Sequence, residues 1–86
     1  MADGKVTCTI LFFASASEAA GERERLVSLD EGSTVADVFA KVSQDCQPLA
    51  ALKSSCAFAI DEKIVQGDTE ITDGCTVAVL PPVSGG

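Results

Sequence analysis

The chain has 86 residues and a formal net charge of −7, from 13 acidic and 6 basic side chains. A single domain of this length buries about 60–65% of the surface its unfolded chain exposes, which allows one modest core and no deep catalytic cleft. The acidic balance repels phosphate backbones and argues against nucleic-acid binding. An apolar content of 47% argues against a disordered chain.

There is no histidine, which removes the commonest general base and the commonest metal ligand. Cys8, Cys46, Cys56 and Cys75 form no Cys-x-x-Cys pair, so neither a zinc site nor a thioredoxin-type site is expected. They read as small buried hydrophobes, with a Cys46–Cys56 disulfide as the exception to look for. The N-terminal residues lack a charged-then-apolar signal pattern, and no apolar run is long enough to span a bilayer. A cytoplasmic chain with reduced thiols is the expectation.

Residues Lys5 to Ala14 alternate as a strand, with Val6, Cys8, Ile10 and Phe12 on one face. The other face begins polar and turns apolar at Leu11 and Phe13. Glu18 to Gly21 reads as a short turn or helical piece, and Arg23 to Leu29 as a second strand paired with the first. After the turn at Asp30 to Ser33, Thr34 is a helix N-cap with Asp37 three residues on, close to a capping box. Val35, Val38, Phe39, Val42 and Cys46 then follow at i, i+3, i+4, i+7 and i+11, the apolar stripe of a helix that packs on a sheet. Pro48 to Leu52 reads as a short helical turn. Ala57 to Asp61 and Ile64-Val65 read as a strand and a short return strand around the turn Asp61-Glu62-Lys63. Asp68 to Gly74 is a loop, and Cys75 to Leu80 the last strand, ended by Pro81-Pro82 because proline has no N–H for a ladder.

A hairpin, a crossing helix and further strands predict an α+β fold of the β-grasp, ubiquitin-like kind. Its mixed sheet carries one main helix on one face, and the first and last strands are central neighbours. The organisation expected is one domain over 1–80 and an extended tail over 81–86. If the first and last strands are parallel, Leu11, Phe13, Ala78 and Leu80 form one apolar patch on the face away from the helix, a candidate partner-binding surface.

The chain ends Leu80-Pro81-Pro82-Val83-Ser84-Gly85-Gly86. Two prolines stiffen the root of this tail in an extended form. Glycine lets a backbone pass through a narrow channel without a side-chain clash. Four extended residues beyond Pro82 reach about 13–14 Å, enough to deliver a terminal carboxyl into another protein's buried site.

Three segments resemble the MoaD-type small subunit of molybdopterin synthase: Ile10-Leu11-Phe12-Phe13-Ala14, Thr72-Asp73-Gly74 and, above all, Pro81-Pro82-Val83-Ser84-Gly85-Gly86. The resemblance implies a ubiquitin-like sulfur carrier whose reacting group is the carboxyl of Gly86. An E1-like adenylyltransferase and sulfurtransferase would activate that carboxyl with ATP and convert it to a thiocarboxylate. The tail, residues Pro81, Pro82, Val83, Ser84 and Gly85, would enter the synthase large subunit. There the sulfur would pass to cyclic pyranopterin monophosphate to make molybdopterin. The resemblance also implies a heterotetramer of two small and two large subunits, a catalytic pocket on the large subunit, and neither a bound cofactor nor a metal on this chain. Members of that family often carry Arg where this chain has Ser17 and Asn where it has Asp61.

Three alternatives stay open at this stage. A related carrier serving thiamine synthesis or tRNA thiolation would share the fold and the Gly-Gly end. A ubiquitin-like modifier would join lysines through Gly86. A two-iron ferredoxin would also be a β-grasp protein, but cysteine separations of 38, 10 and 19 residues contradict the clustered ligands it needs.

Overall fold

A computed structural model of the chain describes residues 4–44, 46–53 and 55–82. Strand β1, Lys5–Phe12, buries every second residue, so Val6, Cys8, Ile10 and Phe12 line the core as the alternation predicts. Strand β2, Glu24–Asp30, runs antiparallel to it with Val27 and Leu29 turned inward. Strands β3, Ala57–Ile60, and β4, Lys63–Val65, form a hairpin, and β5, Thr76–Leu80, closes the structure. The five-stranded sheet has the order β2-β1-β5-β3-β4. Its two central strands, β1 and β5, are parallel, and all the other pairs are antiparallel. A parallel pair needs a long crossover. The chain between β1 and β5 supplies it, and the arrangement is the β-grasp expected.

Helix α2, Val35–Ser43, covers one face of the sheet. Its capping box is complete: the Asp37 N–H donates to Thr34 Oγ1 at 3.3 Å, and the Thr34 N–H donates to Asp37 Oδ2 at 2.9 Å. The N–H groups of Val35 and Ala36 donate to the carbonyls of Thr69 and Gly67, so donors that a helix start usually leaves to water are satisfied by the loop before β5. Val35, Val38, Phe39 and Val42 are buried, and the Phe39 ring meets Phe58 of β3 edge-on at 5.5 Å. Val6, Cys8, Ile10, Val77 and Val79 are buried with them.

Most element boundaries shift by a residue or two from the sequence reading, and three differences have a clear local cause. Strand β1 stops at Phe12, two residues before Ala14, because Phe13 caps a helix: its carbonyl accepts from the N–H groups of Ala16 and Ser17. That helix, α1, runs Ala14–Ala20, longer than the piece read at Glu18 to Gly21, and Gly21 ends it at φ +77°. Alanine favours helix without leaving an apolar stripe, so periodicity could not reveal α1. Helix α2 ends at Ser43, and Cys46 belongs instead to the start of α3, Gln47–Ala50, which Pro48 opens in its first turn. The buried Ser43 hydroxyl donates to the Phe39 carbonyl at 2.7 Å, and the Cys46 N–H donates to the Ser43 carbonyl, closing α2.

All four cysteines are free, so Cys46 and Cys56 form no disulfide. Cys8 and Cys75 are core residues, as expected, while Cys46 is half-buried and donates its thiol hydrogen to the Ala19 carbonyl at 3.1 Å, tying α3 to α1. Among the described residues no helix is long and apolar enough to cross a membrane, and no group of side chains is arranged to hold a metal ion.

Candidate docking face and tail root

The face of the sheet away from α2 is assembled by cross-strand register. Leu11 of β1 lies opposite Ala78 of β5, Ala78 opposite Ala59 of β3, and Ala59 opposite Ile64 of β4. One row therefore runs across four strands as leucine, alanine, alanine, isoleucine. In the next row, Leu80 pairs with Ala57, and Phe13 continues β1 beside it, its N–H donating to the Val79 carbonyl at 3.3 Å. These side chains surround a shallow depression of about 490 Å³. Its floor is Ala59 and Ala78, and its walls are Leu11, Phe13, Ile64 and Leu80. Leu11, Phe13, Ala78 and Leu80, read from the sequence as one patch, converge as the parallel pairing requires. Sequence reasoning missed Ala59 and Ile64. The alternation of Ile64 with Lys63 and Val65 carried that signal weakly, since a three-residue strand offers too few positions to read.

Exposure makes the patch unusual. Phe13 is 44% exposed and Ile64 69% exposed, although both are large apolar side chains. Phe13 follows the buried Phe12 at the end of β1 and so faces the other side of the sheet. Ala14, which follows it, sits at φ +49°, a left-handed conformation that an L-residue adopts at a cost of about 1–2 kcal/mol. The chain reverses there from strand to helix.

One rim is acidic. The β3–β4 turn, Asp61-Glu62, has positive φ at both positions, +49° and +74°, the backbone of a type I′ hairpin. Asp61 is locked to β5, since its N–H donates to the Thr76 carbonyl at 3.0 Å and its Oδ1 accepts from the Thr76 N–H at 3.2 Å. The Asp seen at this position in place of Asn therefore does structural work that needs only its acceptor oxygen. Around the depression the polar side chains are Asp61, Glu62 and Thr76, and they include no paired nucleophile and base.

The tail begins at this face. Leu80 ends β5, Pro81 is half-buried beside it and Pro82 is exposed. Val83, Ser84, Gly85 and Gly86, which carry most of the tail reading, lie outside the described residues. The Thr72-Asp73-Gly74 segment is a brace. Asp73 Oδ1 accepts from the Thr7 N–H at 2.8 Å, and Gly74, at φ +83°, donates its N–H to the Thr7 carbonyl at 2.7 Å. That fixes the loop before β5 to β1 and sets the register from which the tail departs. Ser17 lies in α1 and borders a second hollow with Phe13 and Arg23.

Residues 10–86 match the model of the ThiS family. The molybdopterin synthase sulfur carrier subunit of Chlamydomonas reinhardtii is 33% identical over 79 residues, covering 90% of this chain and 95% of the relative. A Pyrococcus furiosus protein assigned as molybdopterin converting factor subunit 1 superposes with a TM-score of 0.80 at 26% identity, covering 91% of this chain and 99% of its own. The small archaeal modifier protein 1 of Methanosarcina acetivorans superposes with a TM-score of 0.73, also at 26% identity, over 95% of this chain and 98% of its own.

Proposed function

Because the chain belongs to the ThiS family, we propose that it works by delivering a sulfur atom from the carboxyl end of Gly86. Its main role is that of the sulfur carrier subunit of molybdopterin synthase, and its partner is the synthase large subunit. The observation that supports this most is the placing of a partly exposed apolar face directly beside the root of a Pro-Pro-led tail. One surface docks and the adjoining tail reaches in. Leu11, Phe13, Ala78 and Leu80 form the docking contact, and Pro81 to Gly85 pass through a channel in the partner.

The chemistry follows from the carboxyl group. An E1-like enzyme joins it to AMP from ATP, releasing pyrophosphate. A sulfide-level nucleophile then displaces AMP, leaving a thiocarboxylate, whose sulfur attacks the cyclic pyranopterin monophosphate held by the large subunit. Water then cleaves the acyl–sulfur bond, leaving the sulfur on the pterin and a free carboxylate at Gly86. Acid, base and phosphate-binding groups come from that partner, which suits a chain without histidine. No cofactor stays on this chain, ATP is consumed at the activating enzyme, and the assembly is a heterotetramer of two small and two large subunits in the cytoplasm.

The test is pterin sulfuration with the E1-like enzyme, ATP, a sulfur source and the large subunit. Deleting Gly86 moves the carboxyl back by about 3.5 Å, whereas misplacement by about 1 Å can already cost on the order of a hundredfold in rate. Large-subunit binding survives and sulfur transfer is lost. Near-normal turnover by the deletion variant would overturn the proposal. A second reading, a modifier joined to lysines through Gly86, draws support from the likeness to the archaeal modifier. Conjugates that survive reductant on a denaturing gel, with no pterin sulfuration, would decide for it.

A further inference from the structure

The docking face has a shape and a charge that specify what meets it. Its centre is low because the two residues facing each other across β3 and β5, Ala59 and Ala78, are the smallest apolar side chains available there. The edges are high: Leu11 and Phe13 rise on the β1 side, Ile64 on β4 and Leu80 at the tail root. A flat apolar face would suit a flat partner. A face with an alanine floor leaves voids unless a protruding side chain fills it, and unfilled voids forfeit dispersion contacts. Leu80 is both a wall of this floor and the last residue before Pro81, so the face adjoins the start of the tail.

The rim at the β3–β4 turn adds a charge. Glu62 is exposed at φ +74°, borders the depression and makes no ion pair among the described residues. The neighbouring cation, Lys63, lies on the other face of β4, since Ile64 is on this one. The carboxylate is thus available to a partner, in a chain whose net charge of −7 already favours basic surfaces.

We infer that the partner's contact on this face is a bulky apolar side chain seated over Ala59 and Ala78, with a Lys or Arg beside it that meets Glu62. The inference rests on the docking reading above and names the complementary chemistry. Affinity lives in the seated side chain, which is desolvated at the centre. The rim pair sets orientation and association rate.

The experiment measures binding of the full chain to the large subunit by calorimetry and stopped flow, with Ala59→Leu, Ala78→Leu, Glu62→Gln and Phe13→Asp. Filling the floor with either leucine weakens binding at least about tenfold, equivalent to about 1.4 kcal/mol, with an unchanged circular dichroism spectrum. Glu62→Gln lowers affinity about two- to fivefold at low salt, and the difference vanishes near 1 M salt, where the Debye length is about 3 Å. In case a leucine variant does not fold, the parent chain labelled at its alanine methyls is examined in the complex, where Ala59 and Ala78 show nuclear Overhauser contacts to partner methyl or ring protons. Folded floor variants that bind like the parent, or alanine methyls without partner contacts, overturn the seated side chain. An unaltered salt dependence in Glu62→Gln overturns the cation. If Phe13→Asp weakens binding while the floor variants do not, the docking reading stands and this inference falls; if no variant weakens binding, the docking reading itself falls.

Discussion

Cys8 of β1 and Cys75, the residue just before β5, are neighbours one position before the Thr9–Thr76 pair of the two parallel strands. Both are almost fully buried, and burial, reinforced by the neighbouring Cys75, pushes the Cys8 thiol up to about 12 from its ordinary 9.0. A thiol in that setting is an inert packing group. Above pH 9 the unfolded chain loses the Cys8 proton while the folded chain keeps it. The stabilising contribution is complete below about 9 and is lost as pH rises towards 12. The expected slope from this one group is about −1.4 kcal/mol per pH unit in that window. Urea denaturation of the parent and of Cys8→Ala across that window checks it: the variant is less stable at neutral pH, and its stability declines less steeply. Equal slopes would mean that Cys8 ionises in the folded state as it does in the unfolded one. Burial also raises the Cys56 thiol, so some decline persists in the variant.

Two short elements show how local sequence and local backbone can agree or conflict. At the start of α2 they agree, for Thr34 and Asp37 satisfy each other's backbone N–H groups. Thr34→Ala removes the side-chain acceptor and is expected to cost about 1 kcal/mol in chemical denaturation; a loss below a few tenths would show that the flanking loop holds the helix start alone. At the β3–β4 turn they conflict. Both central residues have positive φ, where Asn-Gly is preferred and Asp-Glu stands. Glu62→Gly relieves this and is expected to raise stability by about 0.5–1 kcal/mol. Thermal melting checks it, and a lower melting temperature would show that the Glu62 side chain packs usefully in the free chain.

At the scale of the whole molecule, the long connection from β4 to β5 belongs to the core. Ile71, within a stretch that reads as an acidic loop, is 2% exposed and packs with the residues of β1, β5 and α2. Its N–H donates to the Ser33 carbonyl, and Thr34 bridges to Glu70, so this connection clamps the N-terminal end of α2. Ile71→Ala is expected to cost about 2–5 kcal/mol, measured by urea denaturation, a large share of the stability of so small a domain. A cost under 1 kcal/mol would mean the loop is a cover and not a structural member.

Much of this architecture was legible in the chain alone, for physical reasons that differ from element to element. Period-two burial along Val6, Cys8, Ile10 and Phe12 and the helical stripe from Val35 to Val42 are strong because each element hides one face from water. Their order, with the tail after β5, was enough to indicate the β-grasp. The Pro-Pro-Val-Ser-Gly-Gly segment carried most of the family resemblance. Other features carry no local signal. The alanine-rich α1 has no apolar stripe, and Leu49 and Ile71 are single apolar residues whose burial depends on distant partners. Ala59 and Ile64 joined the apolar face only when β3 paired with β5 on one side and β4 on the other, because register, which is set between strands, decides which side chains share a face.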